Sequence, residues 1–326
     1  MKKTVNIFIC HNPFHVYISS QICKSLFSSS LFQNVVIASV PSFTVVEGVE
    51  YHIVRRDFYG RLITMWKTKF MINKLVRENG SDVQFFLPHV HGVLGNYIFH
   101  SPLVKQKKSG INFYYEGAAM VDMHRSERTL ERFLPQKRVL SMIILHWFVD
   151  YPDILPLNSP RVNKVYTPYP ELTRAPQEKK MQITFPRSSM QNGDGGILIV
   201  GIDAGDAIEE ATNLMLDYIE KNLNRGTVYF KPHYADIRKV FEKVADQKHF
   251  PYETVKDARC IEEVIGELPV RYIICTHFSS ALLNLKLIYR DGLKVLFLAH
   301  PETLKGLGDA YVDLVLSVGV EIVPLK

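Results

Sequence analysis

Four short stretches carry residues able to do chemistry, and each directly follows an apolar run. Phe113-Tyr114-Tyr115-Glu116-Gly117-Ala118-Ala119 sends an acid into a Gly and two small residues, which permit close backbone approach. Ile199-Val200-Gly201-Ile202-Asp203-Ala204-Gly205-Asp206 places two acids in a glycine-bearing turn. Asp206 fits the N-cap or first turn of the following helix, whereas Asp203 lies in the turn itself. Val228-Tyr229-Phe230-Lys231-Pro232-His233-Tyr234 sets a cation and an imidazole around a proline. Such a stiff, donor-rich corner suits a phosphate or a departing phosphorylated group. Cys275-Thr276-His277-Phe278-Ser279-Ser280 puts two hydroxyls at the start of a helix, where they act as caps or as a phosphate cradle.

Other chemistries lack their residues. There is no Gly-rich loop ending in Lys-Ser/Thr, no HExxH, no GxSxG and no Asp-x-Asp pair to hold a metal–diphosphate complex. A nucleotide-using enzyme of this sequence must neutralise phosphate with side chains and helix ends. Neither a metal nor a resident cofactor is expected.

The elements that position these stretches alternate. Strand-like runs at Val5–Cys10, Asn34–Val40, Glu50–Arg55, Val83–Leu87 and Ile111–Tyr115 are interspersed with helical patterns at Phe14–Phe27 and Leu62–Glu78. Pro152, Pro156, Pro160, Pro168, Pro170, Pro176 and Pro186 then interrupt the pattern and read as a connection. Strands at Ile197–Val200, Val228–Phe230, Tyr272–Cys275, Val295–Leu298 and Val320–Val323 alternate with helices at Ala207–Leu223, Ile237–Ala245 and Ser280–Tyr289. The expected fold is α/β, with two Rossmann-like domains whose parallel sheets face a central cleft. The domains are 1–155 and 193–326, joined by a linker at 156–192.

Composition fits this organisation. The chain has 326 residues, 47% of them hydrophobic and 22% charged, enough for two ordinary cores. A net charge of +6 is spread along the chain rather than clustered, which argues against nucleic-acid binding. Cys10, Cys23, Cys260 and Cys275 form no CxxC pair, and the strand positions of Cys10 and Cys275 fit a reducing compartment. The apolar start is broken by His11, Asn12 and Pro13, and no run approaches the ~20 residues of a membrane span. A cytoplasmic protein is expected. Val139–Phe148, after Lys137-Arg138, reads as a buried helix or, on the functional reading, as a patch for peripheral docking on the inner face of the membrane.

Tyr115-Glu116-Gly117, Pro232-His233-Tyr234 and Phe278-Ser279-Ser280-Ala281 together resemble the acidic, His-Pro and Ser-rich motifs of glycosyltransferase family 52, the bacterial lipooligosaccharide sialyltransferases. The order agrees from about Asn112 to the C-terminus, and similarity between the motifs is thin. Tyr115 replaces the first acid of the family's pair, and Tyr234 replaces the proline after the histidine. The resemblance implies a GT-B fold and inverting, metal-independent transfer of sialic acid from CMP-sialic acid to a galactose-type acceptor of a bacterial surface glycan. It gives His233 the leaving phosphate and Ser279 and Ser280 its cradle. Lys231, Pro232, His277, Gly117 and Gly201 complete the expected donor-binding set. The family's general base is an Asp in the turn after the first strand of the second domain; Asp203 is favoured over Asp206, with Glu116 third. The alternatives are a related transferase using a UDP-hexose or another CMP-activated acid, and a non-catalytic sugar- or nucleotide-binding protein of polysaccharide assembly.

Overall fold

The structure is a computed structural model that describes residues 3–40, 45–55, 57–117, 120, 135, 138–139, 141–143, 149, 153–185, 195–201, 208–223, 226–233, 239–276, 279–289, 292–301 and 309–325. The chain divides into two compact units, Met1–Thr184 and Phe185–Lys326.

The first unit is built on a parallel seven-stranded sheet in the order β3-β2-β1-β4-β5-β6-β7. Its strands are β1 (Thr4–Cys10), β2 (Phe32–Ala38), β3 (Val49–Ile53), β4 (Val83–Leu87), β5 (Gly110–Tyr114), β6 (Val162–Thr167) and β7 (Lys180–Gln182). β1 is buried along nearly its whole length, as expected of a parallel strand covered on both faces. Phe8 of β1 stacks on Phe86 of β4 at 4.3 Å. The polar exception is satisfied: Asn6 donates to Asn34, its direct register partner on β2, at 2.9 Å.

Helices supply the crossovers that parallel strands require. α1 (Pro13–Leu26) begins because the Asn12 side chain accepts from the His15 N–H and Pro13 occupies the first turn. α2 (Phe58–Asn79) is capped by Asp57 and ends at Gly80, whose φ of +58° suits glycine. α3 (Val93–His100) and α4 (Pro102–Gln106) connect β4 to β5.

The proline-rich segment does not behave as the linker expected over 156–192. β6 pairs in parallel with β5, and β7 with β6. Pro156 and Pro160 precede β6, and Pro168, Pro170 and Pro176 lie between the two strands. The prolines therefore spare every ladder donor, which proline density alone does not reveal.

Val139–Phe148, read as a buried helix or as a docking patch, does not follow the buried reading where it is described. Val139, Met142 and Ile143 are exposed, whereas Ser141 is buried; 144–148 lie outside the described residues.

The second unit holds a parallel six-stranded sheet in the order β10-β9-β8-β11-β12-β13. The strands are β8 (Gly196–Val200), β9 (Val228–Lys231), β10 (Glu253–Thr254), β11 (Val270–Cys275), β12 (Lys294–Ala299) and β13 (Glu321–Pro324). α5 (Ile208–Asn222), α6 (Val240–Gln247), the single turn α7 (Ile261–Val264), α8 (Ser280–Tyr289) and α9 (Asp309–Ser317) connect them. Ile199, Phe230 and Ile274 from the strands pack with Leu216, Phe241 and Val244 from the helices, and Phe230 stacks on Phe241 at 3.9 Å. All four cysteines are free and buried. Among the described residues no helix is long and apolar enough to cross a membrane.

Candidate functional site

In the first unit the chain lays β1, β2 and β3 outward in one direction and then places β4 and β5 on the other side of β1. At such a reversal the two connections leave in opposite directions, opening a crevice beyond the carboxyl ends of the strands. His11 follows β1 and His89 follows β4, and their rings stack at 4.8 Å and 21°. His15, from the first turn of α1, meets both rings edge-on at 6.1 Å. The His91 ring lies 5.9 Å from that of His89. Glu116 leaves β5 and brings Oε1 to 3.6 Å from His89 Nε2.

The protonation pattern follows from these contacts. The Gly92 N–H donates to His89 Nδ1 at 3.3 Å, so the proton of the neutral imidazole is assigned to Nε2, which faces Glu116. His15 is buried, and burial first and His11 second hold it well below the usual histidine range. The Glu116 side chain is 19% exposed, but its Oε2 is enclosed and has no hydrogen-bond partner among the described residues. Burial pushes this carboxyl up to about 8. Such a group exchanges its proton close to neutral pH, where a general base is most useful.

Glycines make room for the cluster. A Cβ on Gly92 would stand 2.4 Å from His11 Nε2. Gly117, directly after the acid, has φ of +104°, a left-handed value that favours glycine. Tyr115, at the position of the missing first acid, is fully buried and packs edge-on against Phe14 at 6.0 Å and near Tyr169 at 5.8 Å. One carboxyl, not two, therefore leaves β5 for the site.

The second unit repeats the reversal between β8 and β11. The Gly201 N–H donates to the Lys231 carbonyl at 2.8 Å, and a Cβ there would lie 2.8 Å from the His233 nitrogen. Gly201, Lys231, Pro232 and His233 are thus brought together. Gly201 also lines a pocket with Thr212, Met215, Phe230 and Thr276. Ser279 accepts from the Ala281 N–H at 3.3 Å, a capping role, and Ser280 opens α8. The Lys231 ammonium donates to the Asp257 carbonyl, and burial lowers its affinity for a proton. Asp257 in turn binds Arg259 at 2.6 Å, an ion pair within the loop, while the Lys231–Asp257 bond ties that loop to the end of β9. Asp203, Asp206 and His277 lie outside the described residues.

His11, His15, His89 and His91 are absent from the sequence-derived candidates. The signal was present, because both His11 and His89 fall just after strand-like runs, as Glu116 and His233 do. What the sequence does not display is strand order, and only the adjacency of β1, β4 and β5 brings the turns together. Among the described residues no group of three or more His, Cys, Asp or Glu is arranged to hold a metal ion.

No protein-family model matches the sequence, and no curated protein matches it. Solved structures do match in fold. A UDP-GlcNAc 2-epimerase from Neisseria meningitidis bound to UDP-GlcNAc superimposes with a TM-score of 0.57 at 10% identity, over 99% of this chain and 88% of that one. HepE of Anabaena, in complex with UDP and glucose, gives 0.53 at 8% identity over 98% and 86%. WaaG, a glycosyltransferase involved in lipopolysaccharide biosynthesis, gives 0.51 at 10% identity over 98% and 86%. At these identities the likeness carries the fold alone: two Rossmann-like units of the GT-B type.

Proposed function

We propose that this protein is a glycosyltransferase that moves a sugar from a nucleotide-activated donor to an acceptor hydroxyl. Glu116 takes the acceptor proton as the new glycosidic bond forms. The bond between the sugar and the donor phosphate breaks, its electron pair leaves with the nucleotide, and His233 donates to the departing phosphate. The observation that carries the reading is the desolvated Glu116 carboxyl, poised at about 8 and facing the histidine cluster at the sheet reversal. The N-terminal unit then activates the acceptor and the C-terminal unit binds the donor, where Gly201, Lys231, Pro232 and His233 converge. Glu116 is the base we put forward from the described residues; Asp203 and Asp206, which lie outside them, stay as the alternative bases.

For the donor we favour CMP-sialic acid, supported by the order of the Glu116-Gly117, Pro232-His233 and Ser279-Ser280 motifs, with galactose of a surface glycan as acceptor. A UDP-sugar is the second reading, because two fold relatives have UDP or UDP-GlcNAc bound. Nucleotide release from CMP-sialic acid and from a panel of UDP-hexoses, with and without a galactoside, separates the two. Acceptor-dependent CMP release supports the first, acceptor-dependent UDP release the second, and no release from any donor overturns glycosyl transfer.

A further inference from the structure

α2 carries an apolar stripe on the outside of the molecule. Tyr59 is 77% exposed, Ile63 54%, Trp66 49% and Phe70 54%. Their spacing of four, three and four residues places them along one face over about 16 Å of helix. The opposite face is also apolar and supplies the core contact through Met65, Ile72 and Val76, all buried. The outward stripe is therefore surplus to what holds the helix on the sheet. Trp66 and Phe70 pack against each other at 4.4 Å, so two rings of the stripe form a joined ridge. Burial of a core on one face does not account for a second apolar face in water.

The charges around the ridge select its occupant. Within Phe58–Asn79 the helix has five basic residues, Arg61, Lys67, Lys69, Lys74 and Arg77, and one acid, Glu78. Lys67, Lys74 and Arg77 are exposed, two beside the ridge and one at its end. Lys69 instead lies over the Tyr97 ring at 5.4 Å, on the side facing the fold. A second copy meeting this face about a two-fold axis would oppose cations to cations, with Glu78 already shared by Lys74 at 3.9 Å. An apolar aromatic ridge bordered by cations matches the interface of an anionic bilayer, where rings sink to headgroup level and Lys and Arg contact phosphates.

We propose that the solvent face of α2 docks this protein on the surface of an anionic membrane, with Tyr59, Ile63, Trp66 and Phe70 inserted and Lys67, Lys74 and Arg77 on the headgroups. The surface works without reference to the reaction, so a binding assay tests it independently of turnover. The full chain is sedimented with vesicles of phosphatidylcholine alone and of phosphatidylcholine with phosphatidylglycerol. Binding to the anionic vesicles, weakened by raising salt from about 0.1 to 0.5 M, is the expected result. A combined Tyr59→Ser, Ile63→Ser, Trp66→Ser, Phe70→Ser variant and a Lys67→Glu, Lys74→Glu pair each lower partitioning roughly tenfold or more, with circular dichroism unchanged. In a Trp147→Phe background, Trp66 emission shifts to the blue on anionic vesicles. The proposal is overturned if the chain binds anionic vesicles no better than neutral ones. It is equally overturned if both variants bind like wild type, or if the stripe variant disperses an oligomer and leaves vesicle binding intact.

Discussion

Replacing Glu116 by Gln removes a carboxyl from a desolvated site while preserving its shape, and the consequence for stability depends on pH in a defined way. The folded protein holds the Glu116 proton up to about 8, whereas the unfolded chain releases it near the ordinary 4.5. Between those values the folded state binds more protons, so stability falls as pH rises, by about 1.4 kcal/mol per pH unit. Below 4.5 the acid is neutral in both states and there is no penalty; above 8 the loss is complete. The remaining exposure of 19% lets water offset part of the charge, which gives a total of about 3–5 kcal/mol. Glu116→Gln therefore matches wild type near pH 4.5 and is more stable by that amount near pH 9. Both tryptophans, Trp66 and Trp147, belong to the unit Met1–Thr184, so their fluorescence in urea reports the unit that holds Glu116. A His89→Gln background takes the neighbouring imidazole's titration out of the difference. Parallel stability curves across this range would refute the reasoning, since Glu116 would then titrate as an exposed acid.

Gly92→Ala drives a methyl into the His11 ring and is expected to cost about 1–3 kcal/mol in urea unfolding, with lowered turnover. Gly201→Ala meets backbone atoms of Lys231 and His233 that no rotamer change can clear; about 1–3 kcal/mol is lost, read by hydrogen exchange at β8 and β9. Asn12→Ala removes the acceptor 2.8 Å from the His15 N–H and costs about 1 kcal/mol in the same urea assay as Gly92→Ala.

The alternating pattern was legible because buried parallel strands are short continuous apolar runs. Val83–Leu87 and Ser280–Tyr289 have the same bounds in the structure as in the sequence reading. Proline density misled for β6 and β7, since the prolines interrupt the turns and not the ladder. α2 misled in another way: Trp66 and Phe70 share the helical apolar pattern with Met65 and Ile72 but face solvent. Glu116, Gly201 and His233 were legible as strand-end residues. The histidine cluster was not, because it depends on β1 lying beside β4, a fact of topology that no local window contains.

The pH dependence of kcat/KM for wild type and Glu116→Gln, with the donor that supports turnover, tests the central claim most directly. The prediction is a wild-type rate that climbs to a plateau above about pH 8, and a variant reduced by about 10²–10⁴ across the range. A variant that keeps wild-type turnover and the same rising limb would contradict it, because the proton would then leave by another group.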